Sequence, residues 1–241
     1  MADLSFLHQQ PGTVDAINRA YERARKPRGY LGLSQAGHEC RRYLWYMHQG
    51  EIGEQPEGRV LRLFELGELV ESQVIGGLSM AGCLVYHQQR EVVFTQGEVR
   101  LVGHIDGIVI ELVEAPNTPH LLEIKSASKK KFDELLKLGN YEKWNEVYRW
   151  QIQFYMMGLR LKRAAVFVCC KDDSRLYMER IKLDKQAATE RLQRVFEAIT
   201  SPLEPERACP RADYYKAKWC QHYAQCFGLS VPVSRGADPW E

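Results

Sequence analysis

Apolar positions recur along the chain at two periods. Between Thr13 and Arg25, the residues Val14, Ile17, Ala20 and Tyr21 fall at helical spacing, with Thr13 placed to cap the start and Pro27 and Gly29 beyond the end. Leu33 to Gln49 predicts a second helix capped by Ser34, carrying Cys40, Arg41 and Arg42 ahead of Tyr43, Trp45 and Tyr46. Glu51 to Gly58 reads as a polar loop. Arg59 to Met80 predicts a long amphipathic helix with Leu61, Phe64, Leu69, Ile75 and Leu78 broadly on one face. Gly67 in its middle costs about 1 kcal/mol against Ala, so a close neighbour or a bend is expected there. After Gly82 the pattern becomes β-like. Leu84 to Phe94 and Val99 to Leu112 read as strands joined at Gln96-Gly97, and Leu121 to Lys125 as a third. Helices follow at Lys129–Leu138 and Tyr141–Leu161, strands at Ala164–Cys170 and Leu176–Leu183, and a helix capped by Asp184 through Ile199. This order predicts an α/β fold with a mixed central sheet flanked by helices.

Composition narrows the class. The chain has 241 residues, 45% hydrophobic and 27% charged, enough for one sizeable core. It contains no apolar run long enough to span a membrane, and Met1 to Gln10 is too short and polar for a signal peptide, so a cytoplasmic protein is expected. The organisation expected is one domain, 1–241: an N-terminal helical segment (1–58) with Cys40, a core (59–200), a Cys-bearing tail (201–228), and a disordered end (229–241). The net charge of +2 says little. Its distribution says more: Arg23, Arg25, Lys26 and Arg28 form one basic cluster, and Lys125, Lys129, Lys130 and Lys131 another. Such runs are commonly solvated surface, yet can also meet phosphates.

Candidate chemistry lies at Gly103-His104-Ile105-Asp106 and Glu123-Ile124-Lys125. Residues two apart on a strand share a face, so Glu123 and Lys125 point together while Ile124 points into the core. Two carboxylates can hold a hard cation such as Mg²⁺, and an ammonium beside them can position an attacking water. Glu71 on the long helix, with Glu68 second, can supply a further acid. An isolated Asp and Glu-x-Lys would more often be a turn cap and a surface pair. Here the apolar strands around them make unpaired charge expensive, and Gly103 and Gly107 leave room for a close ligand.

These motifs carry a resemblance. Phe64-Glu65-Leu66-Gly67-Glu68-Leu69-Val70-Glu71, Gly103-His104-Ile105-Asp106-Gly107, Leu122-Glu123-Ile124-Lys125-Ser126, and Gln151 with Tyr155 in Gln-Ile-Gln-Phe-Tyr occur in the order found in the PD-(D/E)XK nucleases. The chain most resembles the RecB-like exonucleases, including phage and CRISPR-adaptation members with an iron–sulfur cluster, from about Leu33 to Cys226. The resemblance implies a restriction-endonuclease-like core and a DNA exonuclease dependent on Mg²⁺ or Mn²⁺. Glu71, Asp106, Glu123 and the carbonyl of Ile124 would be metal ligands, Lys125 the catalytic lysine, and Gln151 and Tyr155 would pack by the active site and contact DNA. Lys129, Lys130 and Lys131 would suit substrate phosphates, as would Arg41 and Arg42. The seven cysteines of a cytosolic chain argue against disulfides. In the iron–sulfur members one Cys lies near the N-terminus and three near the C-terminus. Cys40, Cys220 and Cys226 match, while the position expected for the fourth is Ala217, leaving Cys209 to supply it. The group held is a 4Fe-4S cluster, or zinc with help from His222 or His38, or nothing. Cys83, Cys169 and Cys170 sit in apolar runs and are expected as core thiols. The expected partner is DNA, as ends or single strands, in recombination, repair, phage replication or CRISPR adaptation, with no membrane. A homo-oligomer or a recombination or CRISPR partner protein is left open. The alternative is a non-catalytic DNA-binding or assembly subunit that retains the nuclease fold.

Overall fold

The computed structural model describes residues 12–24, 29–51 and 53–229. The expectations for Met1 to Gln10, for the basic residues Arg25, Lys26 and Arg28, and for the end beyond Leu229 lie outside the described residues.

The chain runs α1 (Thr13–Ala24), α2 (Arg41–His48), α3 (Gly58–Met80), β1 (Leu84–Tyr86), β2 (Glu91–Gln96), β3 (Val99–His104), β4 (Gly107–Ile110), β5 (His120–Ala127), α4 (Lys129–Leu138), α5 (Tyr141–Trp144), α6 (Glu146–Leu159), β6 (Arg163–Cys170), β7 (Leu176–Lys182) and α7 (Lys185–Ile199), then a 3₁₀ turn Ala217–Trp219 and α8 (Tyr223–Phe227). Five strands form the central sheet in the order β1-β4-β5-β6-β7. All its pairs are antiparallel except β5 with β6, which are joined through α4, α5 and α6. A parallel pair needs such a crossover. β2 and β3 form a separate two-stranded sheet.

Two apolar layers sandwich the sheet. On one side Val70, Val74 and Leu78 of α3 pack on Val109, Leu122, Ile124 and Ala165. On the other, Leu121, Val166 and Val168 meet Phe132, Ile152, Tyr155 and Phe196 of α4, α6 and α7. Strand alternation sends Ile124 to the α3 side and leaves Glu123 and Lys125 for the other, as the spacing predicted.

The long strands read from the sequence are each two. The turn after Tyr86, with His87 and Gln89 at φ 56°, separates β1 from β2. Ile105 and Asp106 separate β3 from β4, which pair in different sheets. The polar run His87-Gln88-Gln89-Arg90-Glu91 marks the first break, whereas apolar alternation through Leu101, Ile105 and Val109 continues across the second and could not reveal it. The helix expected from Leu33 starts only at Arg41, with Cys40 rather than Ser34 at its N-cap position, because Leu33 to Gly37 is a turn bonded to β3 through Leu33 N to Val102 O at 2.9 Å. The helix expected over Tyr141–Leu161 breaks at Asn145, whose extended backbone (φ −147°, ψ 114°) ends α5 and whose side chain accepts from Tyr148 N at 3.1 Å to begin α6. Gly67 lacks the close neighbour expected: an added Cβ would find Ser126 Oγ at 3.9 Å, ordinary contact, and α3 runs through the position as one helix.

Candidate active site

The break between β3 and β4 places Asp106 where the two sheets part. Its Oδ2 accepts from the backbone N–H of Ile124 at 2.6 Å, locking the β3–β4 corner onto β5. Asp106 is largely buried, and burial raises its proton affinity against the lowering effect of Lys125 and of the Ile124 N–H. Glu71, on one side of α3, accepts from Gln89 Nε2 at 3.2 Å. Burial and the neighbouring Asp106 push its carboxyl up, while Glu68 is exposed. The structure thus sets Glu71 beside Asp106.

Glu123 is fully buried at the centre of the sheet. Its Oε1 receives Lys125 Nζ at 2.5 Å and Gln151 Nε2 at 2.9 Å. Its Oε2 is buried with no hydrogen-bond partner among the described residues. Burial pushes the carboxyl up to about 7, with Lys125 opposing and Asp106 adding to the rise. Lys125 loses solvent as well, but Glu123, Tyr141 and Asp106 more than offset that and hold it as an ammonium. Its Nζ lies 5.0 Å from the centre of the Tyr148 ring.

Gln151 and Tyr155 are one helical turn apart on α6, both buried, and their side chains bond to each other. A Cβ on Gly103 would stand 2.6 Å from Tyr155 Oη and 2.8 Å from Leu33 Cβ. Gly103 therefore admits the tyrosine and not the close ligand expected from the sequence. Gln89, Tyr141 and Tyr148 were not among the sequence candidates. Gln89 lies on a turn and the two tyrosines in an aromatic-rich helical stretch, where nothing in the pattern distinguishes them from core residues.

A buried carboxylate oxygen without a donor is costly, and it is the feature by which this donor set fits a hard divalent cation. Glu71, Asp106, Glu123 and the carbonyl of Ile124 could hold one. Among the described residues no three His, Cys, Asp or Glu side chains are gathered at ligand spacing.

The cysteines divide as their surroundings suggest. Cys83, Cys169 and Cys170 are buried in the core. Cys40, Cys209, Cys220 and Cys226 form no disulfide and border one cavity of about 630 Å³ between α2 and the tail, with His38 and Trp144 on its wall. Burial pushes Cys220 up to about 11, with the other three thiols adding to the rise. His38 uses Nδ1 to accept from Cys40 N at 3.0 Å, and His222 is buried against Tyr43 and Tyr46. Of the candidate phosphate contacts, Lys129 pairs with Asp133 at 3.4 Å and Lys131 with Glu134 at 2.9 Å. Arg42 is tied to Pro205 O at 2.7 Å and to Glu204 at 3.4 Å, while Lys130 and Arg41 are exposed.

Residues 80–158 match the YqaJ-like viral recombinase domain. The matched segment holds Asp106, Glu123, Lys125, Gln151 and Tyr155, and stops short of Glu71 and of the four clustered cysteines. The fold is similar to that of an alkaline exonuclease, LHK-Exo from Laribacter hongkongensis, with a TM-score of 0.51 at 16% identity, over 75% of this chain and 90% of that one. The same protein in complex with dAMP gives 0.48 at 17% identity over 75% and 90%. A structure named SSO0001 gives 0.48 at 15% identity over 89% and 95%. No curated protein sequence matches the chain. Domain match and fold agree with the PD-(D/E)XK exonuclease resemblance carried by the motifs. No helix among the described residues is long and apolar enough to cross a membrane.

Proposed function

We propose that this chain is a divalent-metal-dependent DNA exonuclease of the viral recombinase type. The observation that carries the reading is Glu123, buried, bridged by Lys125 and Gln151 through one oxygen and unpartnered at the other among the described residues. Glu71, Asp106, Glu123 and the carbonyl of Ile124 would hold Mg²⁺ or Mn²⁺, which when bound supplies Lewis-acid stabilisation of the phosphate and a more acidic water. Lys125 orients the attacking water and offsets charge growing on the phosphate oxygens. Gln151 fixes Glu123, and Tyr155, wedged against Gly103, fixes Gln151. Lys129, Lys130 and Arg41 are exposed and would offer cations to a phosphate backbone. The four thiols around the cavity would hold a 4Fe-4S cluster or zinc, joining α2 to the tail. Burial favours the protonated form of Cys220, so such a group must displace protons.

The test is a gel assay with end-labelled linear and circular DNA, single- and double-stranded, with Mn²⁺ or EDTA, using wild type and Lys125→Ala. The expected result is loss of linear DNA alone, requiring both Mn²⁺ and Lys125. Cleavage of circles would point to an endonuclease. Binding of DNA ends without cleavage of any form would leave only an assembly subunit. Iron, acid-labile sulfide and zinc content of anaerobically prepared wild type and Cys209→Ser decide the thiol site.

A further inference from the structure

Tyr141 begins α5 and is completely buried, yet its hydroxyl has no hydrogen-bond partner among the described residues. Leaving a buried hydroxyl unpaired is unfavourable, and phenylalanine would fill the same space without that cost. The hydroxyl is also not there by accident of a loose side chain. The backbone N–H of Tyr141 is bonded to Glu179 Oε2 at 2.7 Å, and Asn140 caps α5 by accepting from Lys143 N at 2.8 Å. The ring is stacked on Tyr148 at 6.2 Å and against Trp144 at 6.0 Å. Backbone and ring are fixed from both sides, and the oxygen is fixed with them.

That oxygen lies in the field of the active-site charges. Tyr148, on which the ring stacks, is the residue whose face lies under Lys125 Nζ. Tyr141 and Lys125 are near enough to alter each other's proton affinity, with Glu123 and Asp106 in the same field. An ammonium has three donors. Glu123 Oε1 accepts one of them and is shared with Gln151. If Glu123 is to turn toward a cation, Lys125, whose side chain is only 21% exposed, needs another oxygen on its buried side. Tyr141 supplies an acceptor that is neutral, so it does not add a further anion to three neighbouring carboxylates.

We propose that Tyr141 is a positioning residue for Lys125, its hydroxyl oxygen accepting from the ammonium and holding it toward the attacking water when Glu123 is engaged elsewhere. The inference rests on the nuclease reading of the same site. It is tested with Tyr141→Phe in the full chain, by kinetics on linear DNA with Mn²⁺, thermal unfolding, and the side-chain ¹⁵N signal of Lys125 with Mg²⁺ added, assigned by its loss in Lys125→Arg. The expected result is at least a tenfold fall in kcat with KM within twofold, a midpoint equal to or above wild type, and a Lys125 ammonium signal broadened away by faster exchange with water. An unchanged kcat with an unchanged ammonium signal overturns the proposal. So does a fall in kcat accompanied by a midpoint several degrees lower, which would make the hydroxyl a packing element. Should wild type cleave no DNA, the nuclease reading falls, and the ammonium signal alone decides the role of Tyr141: lost in Tyr141→Phe it stands, retained it does not.

Discussion

At Gly103 the absence of a single carbon sets the depth of the site. Tyr155 Oη occupies the place where a Cβ would stand, at 2.6 Å. Gly103→Ala must push the tyrosine or the β3 backbone aside, and overpacking of this kind costs about 1–3 kcal/mol. The expected outcome is a midpoint lower by several degrees and a reduced kcat, read by calorimetry and the linear-DNA assay. Glu123 makes a second prediction. Burial raises its carboxyl to about 7 in the folded chain, above the ordinary value of an exposed glutamate. The folded state then binds a proton more tightly than the unfolded state. The stabilisation is complete below the ordinary glutamate value and is lost as pH rises through about 7. Unfolding midpoints of metal-free wild type should fall between about pH 5 and pH 7 by more than those of Glu123→Gln. Adding Mn²⁺ at about pH 7 should restore the wild-type midpoint and leave the variant little changed.

Among the elements, the break between α5 and α6 decides how the aromatic residues meet Lys125. Asn145 ends one helix and caps the next, and Tyr148 is the residue whose N–H it holds. Replacing Asn145 by Ala removes that cap at a cost of about 1 kcal/mol. The helix should tend to run through, rotating Tyr148 away from Lys125. A modest fall in stability with a larger fall in kcat is expected, checked by urea unfolding beside steady-state rates. The long helix expected across this region was legible in its apolar spacing, since both pieces are helical. The break was not, because Asn145 differs from a tolerated helical polar residue only through its φ and the bond it accepts.

Across the whole molecule, the tail is bound back to the N-terminal segment. Trp45 Nε1 donates to Ser201 O at 3.0 Å, Glu54 N to Gln221 O at 2.8 Å, and Lys216 pairs with Glu39 at 2.6 Å. Arg42 belongs to this set through Pro205 O and Glu204. Arg42→Ala is therefore expected to lower stability more than DNA affinity. Lys130→Ala, at an exposed position, should leave the midpoint alone and reduce the salt dependence of DNA binding by about one unit of slope, measured by titration at several salt concentrations.

Local pattern was enough to order the elements and to offer Asp106, Glu123 and Lys125 as candidates, because strand alternation and helical spacing are written in neighbouring residues; Gln151 and Tyr155 entered as candidates through the motif resemblance. It also separated core thiols from the four that meet, since apolar neighbours mark burial. The tertiary structure sets Glu71 in the field of Asp106 and leaves Glu68 exposed, which depends on which side of α3 faces Asp106. It alone parted β3 from β4 at Asp106, gave the space beside Gly103 to Tyr155, and brought a Tyr141 hydroxyl, unpaired among the described residues, into the field of Lys125. Each of these is a contact between residues distant in sequence, settled by packing and charge that no local period encodes.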